Sequence, residues 1–136
     1  MERQERREQI LNILAAGIRK VLLNTVPKPE ELQEIRMRLG QPLRVVRGKE
    51  EIVLRSGTEP YIVTKEELRE TMDYISHYSL YAYENELRQG FVTVEGGHRV
   101  GVAGKVIMEK ERVKNIQYIS SLNIRVSHEV LGCADR

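Results

Sequence analysis

Apolar positions recur at two different periods along this chain, and the change of period marks out its elements. Ile10, Leu11, Ile13, Leu14, Ile18, Val21 and Leu22 fall at helical spacing with Arg, Gln and Lys between them, so the pattern predicts one amphipathic helix from about Glu2 to Asn24. Pro27 and Pro29 end it, and Glu30 to Gln33 allow a further turn. The period then drops to two: Ile35, Met37 and Leu39 alternate with Arg36 and Arg38 in a short half-buried strand. Gly40-Gln41-Pro42 turns the chain, and Leu43–Arg47 and Glu51–Arg55 read as a hairpin about Gly48-Lys49. Ser56-Gly57-Thr58 reads as a loop and Tyr61–Val63 as a short strand.

Helical spacing returns at Thr64-Lys65-Glu66-Glu67, a capping box in which the Thr64 hydroxyl and the Glu67 carboxylate satisfy backbone donors left open by the first turn. The helix it opens carries Leu68, Met72 and Ile75 inward to about His77. Ser79 is placed to cap a second helix through Leu80, Tyr83 and Leu87, ending at Gln89-Gly90.

The stretch Gln89–Gly104 follows as a hairpin. Phe91, Thr93 and Glu95 share one side of its first strand, Val92 and Val94 the other, and Gly96-Gly97 supplies a turn with positive φ. Val100, Val102, Val106 and Met108 recur at even spacing on the return strand. Gly101 and Gly104 interrupt that strand, where glycine weakens pairing unless a bulge, a close backbone approach or a ligand excludes a side chain. After a turn at Glu109–Arg112, Val113–Ile119 and Ser121–Ser127 complete the β pattern, with Leu122, Ile124 and Val126 inward. The pattern as a whole predicts an α+β fold in one unit spanning residues 1–136: a mixed, mainly antiparallel sheet with helices packed on it.

Three phosphate-loop motifs fail against the glycine-rich stretch. Gly104-Lys105 fits the end of a P-loop, but Arg99 stands where its first glycine belongs and Val106 replaces the hydroxyl. No G-x-G-x-x-G opens a helix. Gly101-Val102-Ala103-Gly104 matches the GxxG of KH domains, yet that loop joins helices and this one lies in a β pattern.

Composition narrows the chemistry. A chain of 136 residues with 40% hydrophobic and 31% charged positions can bury a core, and its net charge of +2 makes the placement of charge more informative than its sum. The single cysteine, Cys133, excludes an internal disulfide and fits a reducing compartment, and no apolar run is long enough to span a membrane. A cytoplasmic location follows as the expectation. The start lacks a signal-peptide core, and the end at Leu131–Arg136 has no obvious terminator and reads as a cut inside a longer protein. His77, His98 and His128 are far apart and have no Cys or carboxylate at ligand spacing, so neither a metal centre nor a catalytic constellation is expected. His98 reads as a turn residue hydrogen-bonded to backbone, and Tyr74, Tyr78, Tyr81 and Tyr83 as packing.

Arginine carries more. Arg36, Arg38, Arg44 and Arg47 sit on adjoining strand segments, and Arg99 and Arg125 on strands near the glycine cluster of Gly96, Gly97, Gly101 and Gly104. A planar, permanently charged fork on a sheet face can hold phosphate; the bland alternative is solvated arginines paired with glutamates.

The segments EIRMRLGQPL, ISHYSLYAYENELRQGFVTVEGGHRVGVAGKV and ISSLNIRVSHEVLGCAD together resemble the N-terminal part of the stage III sporulation AA family of endospore-forming bacteria, across Leu32 to Asp135. That family resembles the secretion-type ATPases of type II and type IV secretion. The resemblance implies an N-terminal α+β domain ahead of a P-loop ATPase domain, which this chain does not reach. It implies no cofactor and no hydrolysis in this piece, with ATP and Mg used by the full-length protein as a homo-hexamer energising a channel between mother cell and forespore. Partners implied are the protein's own ATPase domain, neighbouring subunits and membrane channel proteins, with location at the mother-cell membrane through those partners. Arg99 in GGHRVG and Arg125 in LNIRVS are similar in position to arginines that reach nucleotide phosphates in the related motors. The alternative is a nucleic-acid-binding module using Arg36, Arg38, Arg44 and Arg47, although nucleic acid is not the expected partner.

Overall fold

The computed structural model describes residues 2–77, 80–109 and 112–128. Its six-stranded sheet is antiparallel throughout: β1 (Glu34–Arg38), β2 (Arg44–Arg47), β3 (Glu50–Val53), β6 (Phe91–Thr93), β7 (Arg99–Glu109) and β8 (Arg112–Arg125), in the order β3-β2-β1-β8-β7-β6. A small ribbon of β4 (Arg55–Ser56) and β5 (Glu59–Pro60) replaces the expected strand at Tyr61–Val63, where pairing shrinks to a bridge between Pro42 and Ile62. The α+β class and the two hairpins stand as the alternation predicts. From Ala103 onward the long β7–β8 hairpin slips register three times, and β8 runs unbroken where two strands were expected.

One face of the sheet is apolar. Ile35, Met37, Val45, Val92, Val100, Leu122 and Ile124 are buried there, together with Ile10, Ile18 and Leu22 from the N-terminal helices and Leu68, Met72 and Ile75 from α3 (Lys65–Ile75). At about 25 cal/mol per Å² of apolar surface removed from water, this shared core is what holds the helices to the sheet.

The N-terminal helix divides, contrary to the periodicity. It forms α1 (Glu2–Asn12) and α2 (Ala16–Thr25). Side chains hold both ends of the break, two from α3 and one from α2 itself. The Thr71 hydroxyl and the Glu70 carboxylate on α3 accept from the backbone N–H groups of Ala15 and Ala16, each at 3.0 Å. Arg19 donates to the carbonyls of Leu11 and Leu14, both at 2.9 Å. The N-cap Ala15 makes no side-chain cap of its own, so at the start of α2 tertiary partners from α3 replace a local one. Gly17 lets the start of α2 lie against the Tyr61 hydroxyl and the Glu67 carboxylate, which are hydrogen-bonded to each other; burial and then Glu67 push the Tyr61 phenol pKa up.

The capping box forms as predicted, with Glu67 N–H donating to Thr64 and Thr64 N–H to the Glu67 side chain. After α3 the chain makes a 3₁₀ turn (Leu80–Tyr83) and the short helix α4 (Glu84–Gln89), which Gly90 ends at φ 88°. The expected Ser79 cap and Tyr78 lie outside the described residues, as does the Cys133 segment.

Candidate functional site

The other face of the sheet is polar, and strand register arranges its side chains in rows. One row reads Glu34 (β1), Arg125 (β8), Arg99 (β7) and Thr93 (β6). The next reads Arg44 (β2), Arg36 (β1), Asn123 (β8), Gly101 (β7) and Phe91 (β6), and a third begins Arg38, Ser121 and Ala103. Arg99 and Arg125, 26 positions apart in sequence, are thus direct partners on adjacent strands. Like charges placed opposite one another repel, so the pair needs a compensating influence.

Each arginine has a different one. The Arg99 guanidinium lies 4.4 Å from the centroid of the Phe91 ring, a cation–π contact. Phe91 stands directly opposite Gly101 on the ladder, and its ring lies against Arg99. Arg125 faces Glu34. Burial alone would raise the Glu34 carboxyl, but hydrogen bonds from Arg36 and Asn123 and the fields of Arg36 and Arg125 more than offset it and hold it below the usual carboxylate range. Glu34, Arg36, Arg38, Ser121, Asn123 and Arg125 line a recess of about 350 Å³.

The remaining arginines separate. Arg36 is bonded to Glu34 at 2.9 Å and to Glu51, and Arg44 approaches Glu51 at 3.9 Å. Arg38 is exposed at the sheet end. Arg47 shares the parity of buried Val45 and therefore falls on the opposite side from Arg36, Arg38 and Arg44. The four form no single basic surface. Two carboxylates are interleaved with three of them, and the fourth points elsewhere.

The glycines serve distinct purposes. Gly96, at φ 93°, makes the turn and also leaves room for Gln9 of α1, whose amide occupies the space a Cβ would take. Gly97, at φ 81°, completes the turn. A Cβ at Gly104 would overlap the Tyr118 carbonyl across the first register slip, so a close backbone approach excludes a side chain there. At Gly101 a Cβ would meet only ordinary contacts at 3.9 Å with Asn123. Packing within the chain does not require that glycine.

Behind the turn, His98 is 1% exposed. Its Nδ1 accepts from the Ser127 backbone N–H at 2.9 Å, so Nε2 carries the proton and donates to Gln9 Oε1 at 2.9 Å. Burial first, then Arg6 and His128, push its pKa down and keep the ring neutral. The contact ties α1, the turn and the segment leaving β8 together, and His128 adds a contact to the Leu32 carbonyl at 2.8 Å. Sequence reasoning reached the backbone bond to His98 but missed Gln9, Glu34, Phe91 and Asn123. The alternation of Glu34-Arg36-Arg38 and Ser121-Asn123-Arg125 was the available signal for the sheet-face pair.

Comparison with known proteins settles the family. The family model described as "Sporulation stage III, protein AA" matches residues 4–136. The chain belongs to that family. It is 35% identical over 129 residues to Stage III sporulation protein AA of Bacillus subtilis (strain 168), a match covering 93% of this chain and 40% of the relative. Family membership supports a role in sporulation, and the chain spans about two fifths of the length of the curated relative it matches. Among the described residues no helix is long and apolar enough to cross a membrane, and no group of three or more His, Cys, Asp or Glu residues is arranged to hold a metal ion.

Proposed function

We propose that residues 1–136 are the N-terminal assembly and regulatory domain of a hexameric secretion-type ATPase that energises a mother cell to forespore channel, and that Arg99 and Arg125 contact nucleotide phosphate when subunits assemble. The observation that carries the reading is their direct opposition on the polar sheet face. Two adjacent guanidinium forks repel in isolation and become favourable around a polyanion. Gly101 in the neighbouring row leaves the surface low beside them. An arginine delivered from a non-catalytic domain stabilises charge developing on a transferred phosphoryl group, so its effect appears only in the assembled protein. ATP and Mg then belong to the full-length protein and its P-loop domain, and this piece alone does not hydrolyse ATP. Its partners are that domain, neighbouring subunits and channel proteins at the membrane. Binding to a nucleic-acid backbone has weaker support, because Arg36 and Arg44 are engaged by Glu34 and Glu51.

The test is turnover by the full-length protein carrying Arg99→Ala or Arg125→Ala. Each is expected to lower ATPase activity by about 10³-fold or more, on the scale of an arginine finger, with circular dichroism unchanged. Undiminished turnover in both would remove the arginine assignment. Salt-sensitive binding of duplex DNA or RNA by the 136-residue chain would favour the nucleic-acid reading instead.

A further inference from the structure

Among the described residues the sheet presents four strand edges to another chain, and three of them are guarded. β3 is four residues long and carries Glu50 and Glu51. β6 is three residues long, and the Glu86 carboxylate accepts from its outward Thr93 N–H at 2.8 Å. β1 pairs with β8 only from Ser121 to Arg125. Past Ser121 each register slip leaves one extra residue on β8, at Ser120, Gln117 and Lys114, and such bulges twist an edge away from pairing. The outer edge of β7 is different. β6 covers Arg99–Gly101 and the Gly90 carbonyl accepts from the Val102 N–H, after which no strand among the described residues runs beside β7 to its end at Glu109. Ala103, Gly104 and Lys105 are exposed, and β7 itself carries no bulge and no proline. We propose that this edge pairs antiparallel with the same edge of a second copy of the chain, centred on Ile107.

Backbone parity and charge agree on the register. The His98 carbonyl and the Val102 N–H both point toward β6, so even-numbered backbone groups face outward, and Gly104, Val106 and Met108 continue that alternation. An antiparallel partner must therefore set even positions opposite even positions. Centring on Ile107 does so: Val106 of each copy exchanges both backbone hydrogen bonds with Met108 of the other. The same register sets Lys105 opposite Glu109 twice, once on each side of the axis, and opposite charges so placed attract. An in-register parallel arrangement would set Lys105 on Lys105 and Glu109 on Glu109. The stretch Lys105–Glu109, KVIME, is complementary to its own reverse.

Pairing also remedies a weakness of the single copy. Past Gly104 the β7–β8 arm is a two-stranded ribbon, a unit only marginally stable in water, and two copies joined make four strands of it. Within one copy Lys105 stands opposite Tyr118 and Glu109 opposite Arg112 on the inner edge, and the second copy comes to the outer one. The contact is isologous, with each copy supplying the same surface. Its two-fold axis stands perpendicular to the sheet, so the Arg99–Arg125 faces of both copies lie on the same side of one continuous sheet. Neither arginine takes part and no nucleotide is needed, so the contact stands or falls apart from the ATPase reading.

Sedimentation equilibrium of the 136-residue chain over a range of concentrations, with Cys133→Ser to keep disulfides out, tests it. A monomer–dimer equilibrium is expected. Lys105→Glu should weaken association at least tenfold, since both pairs between copies become repulsive. Lys105→Glu combined with Glu109→Lys should restore it. Val106→Pro removes an outward N–H, spares the inner ladder, and should abolish the dimer while the melting temperature of the dilute chain changes little. A chain that is monomeric at every concentration overturns the proposal and leaves the edge to a strand of another protein. So does a dimer indifferent to both Lys105→Glu and Val106→Pro, a folded double variant that fails to associate, or open-ended association with no dimer plateau.

Discussion

Arg99 and Arg125 face one another across adjacent antiparallel strands, with Phe91 under the first and Glu34 beside the second. In the absence of an anion the pair costs stability, of the order of 0.2–1 kcal/mol for like charges directly opposite. Inorganic triphosphate should therefore raise the melting temperature of the 136-residue chain by more than sulfate does at equal ionic strength. The increment should vanish in Arg125→Ala. Equal shifts in wild type and variant, read by differential scanning fluorimetry, would show that the anion acts elsewhere.

Thr71→Val should destabilise the fold by about 1–3 kcal/mol, because it leaves the buried Ala15 N–H without its acceptor. Glu70→Ala removes the acceptor for Ala16 N–H at a more exposed position and should cost about 1 kcal/mol. Urea denaturation measures both. A loss confined to Glu70 would mean that α2 does not depend on the Thr71 cap.

Gly104→Ala should cost about 1–3 kcal/mol, because the methyl group meets fixed backbone at the Tyr118 carbonyl. Gly101→Ala should change stability by no more than about 0.5 kcal/mol, as its Cβ has ordinary room beside Asn123. Under the phosphate reading, the same Gly101→Ala change lowers full-length ATPase activity while the melting temperature holds. Comparable destabilisation by the two alanines would show that Gly101 serves packing.

Burial lowers the His98 pKa from its ordinary 6.5, so the folded chain binds fewer protons than the unfolded one across that range. The stability linked to His98 is fully present above about pH 6.5 and falls as pH drops toward the lowered folded value. Denaturation at pH 7.5 and pH 5.5 should show this loss in wild type and a smaller one in His98→Gln. Equal losses in the two proteins would place the acid sensitivity in other groups.

The amino-acid sequence alone determined the local elements and their inward faces. Alternation at Ile35-Met37 and Leu122-Ile124, the Thr64–Glu67 capping box and the Gly96-Gly97 turn each rest on interactions within a few residues, which a linear pattern records. The resemblance carried by GGHRVG and LNIRVS likewise led to the family that the comparisons support.

Tertiary structure decided the rest. Helical periodicity continues through Ile13–Ala15, yet Thr71 and Glu70, more than 50 positions away, take the N–H groups of Ala15 and Ala16 while Arg19 of α2 folds back onto the Leu11 and Leu14 carbonyls, so the helix breaks there. Period-two alternation already separates Arg47 from Arg44, but which of them shares a face with Arg36 follows from the register of β1 on β2. The opposition of Arg99 to Arg125, and the neutral His98 that directs Gln9, depend on register between strands and on burial. Those are properties of residues brought together from distant positions, and no window of sequence contains both members of the pair.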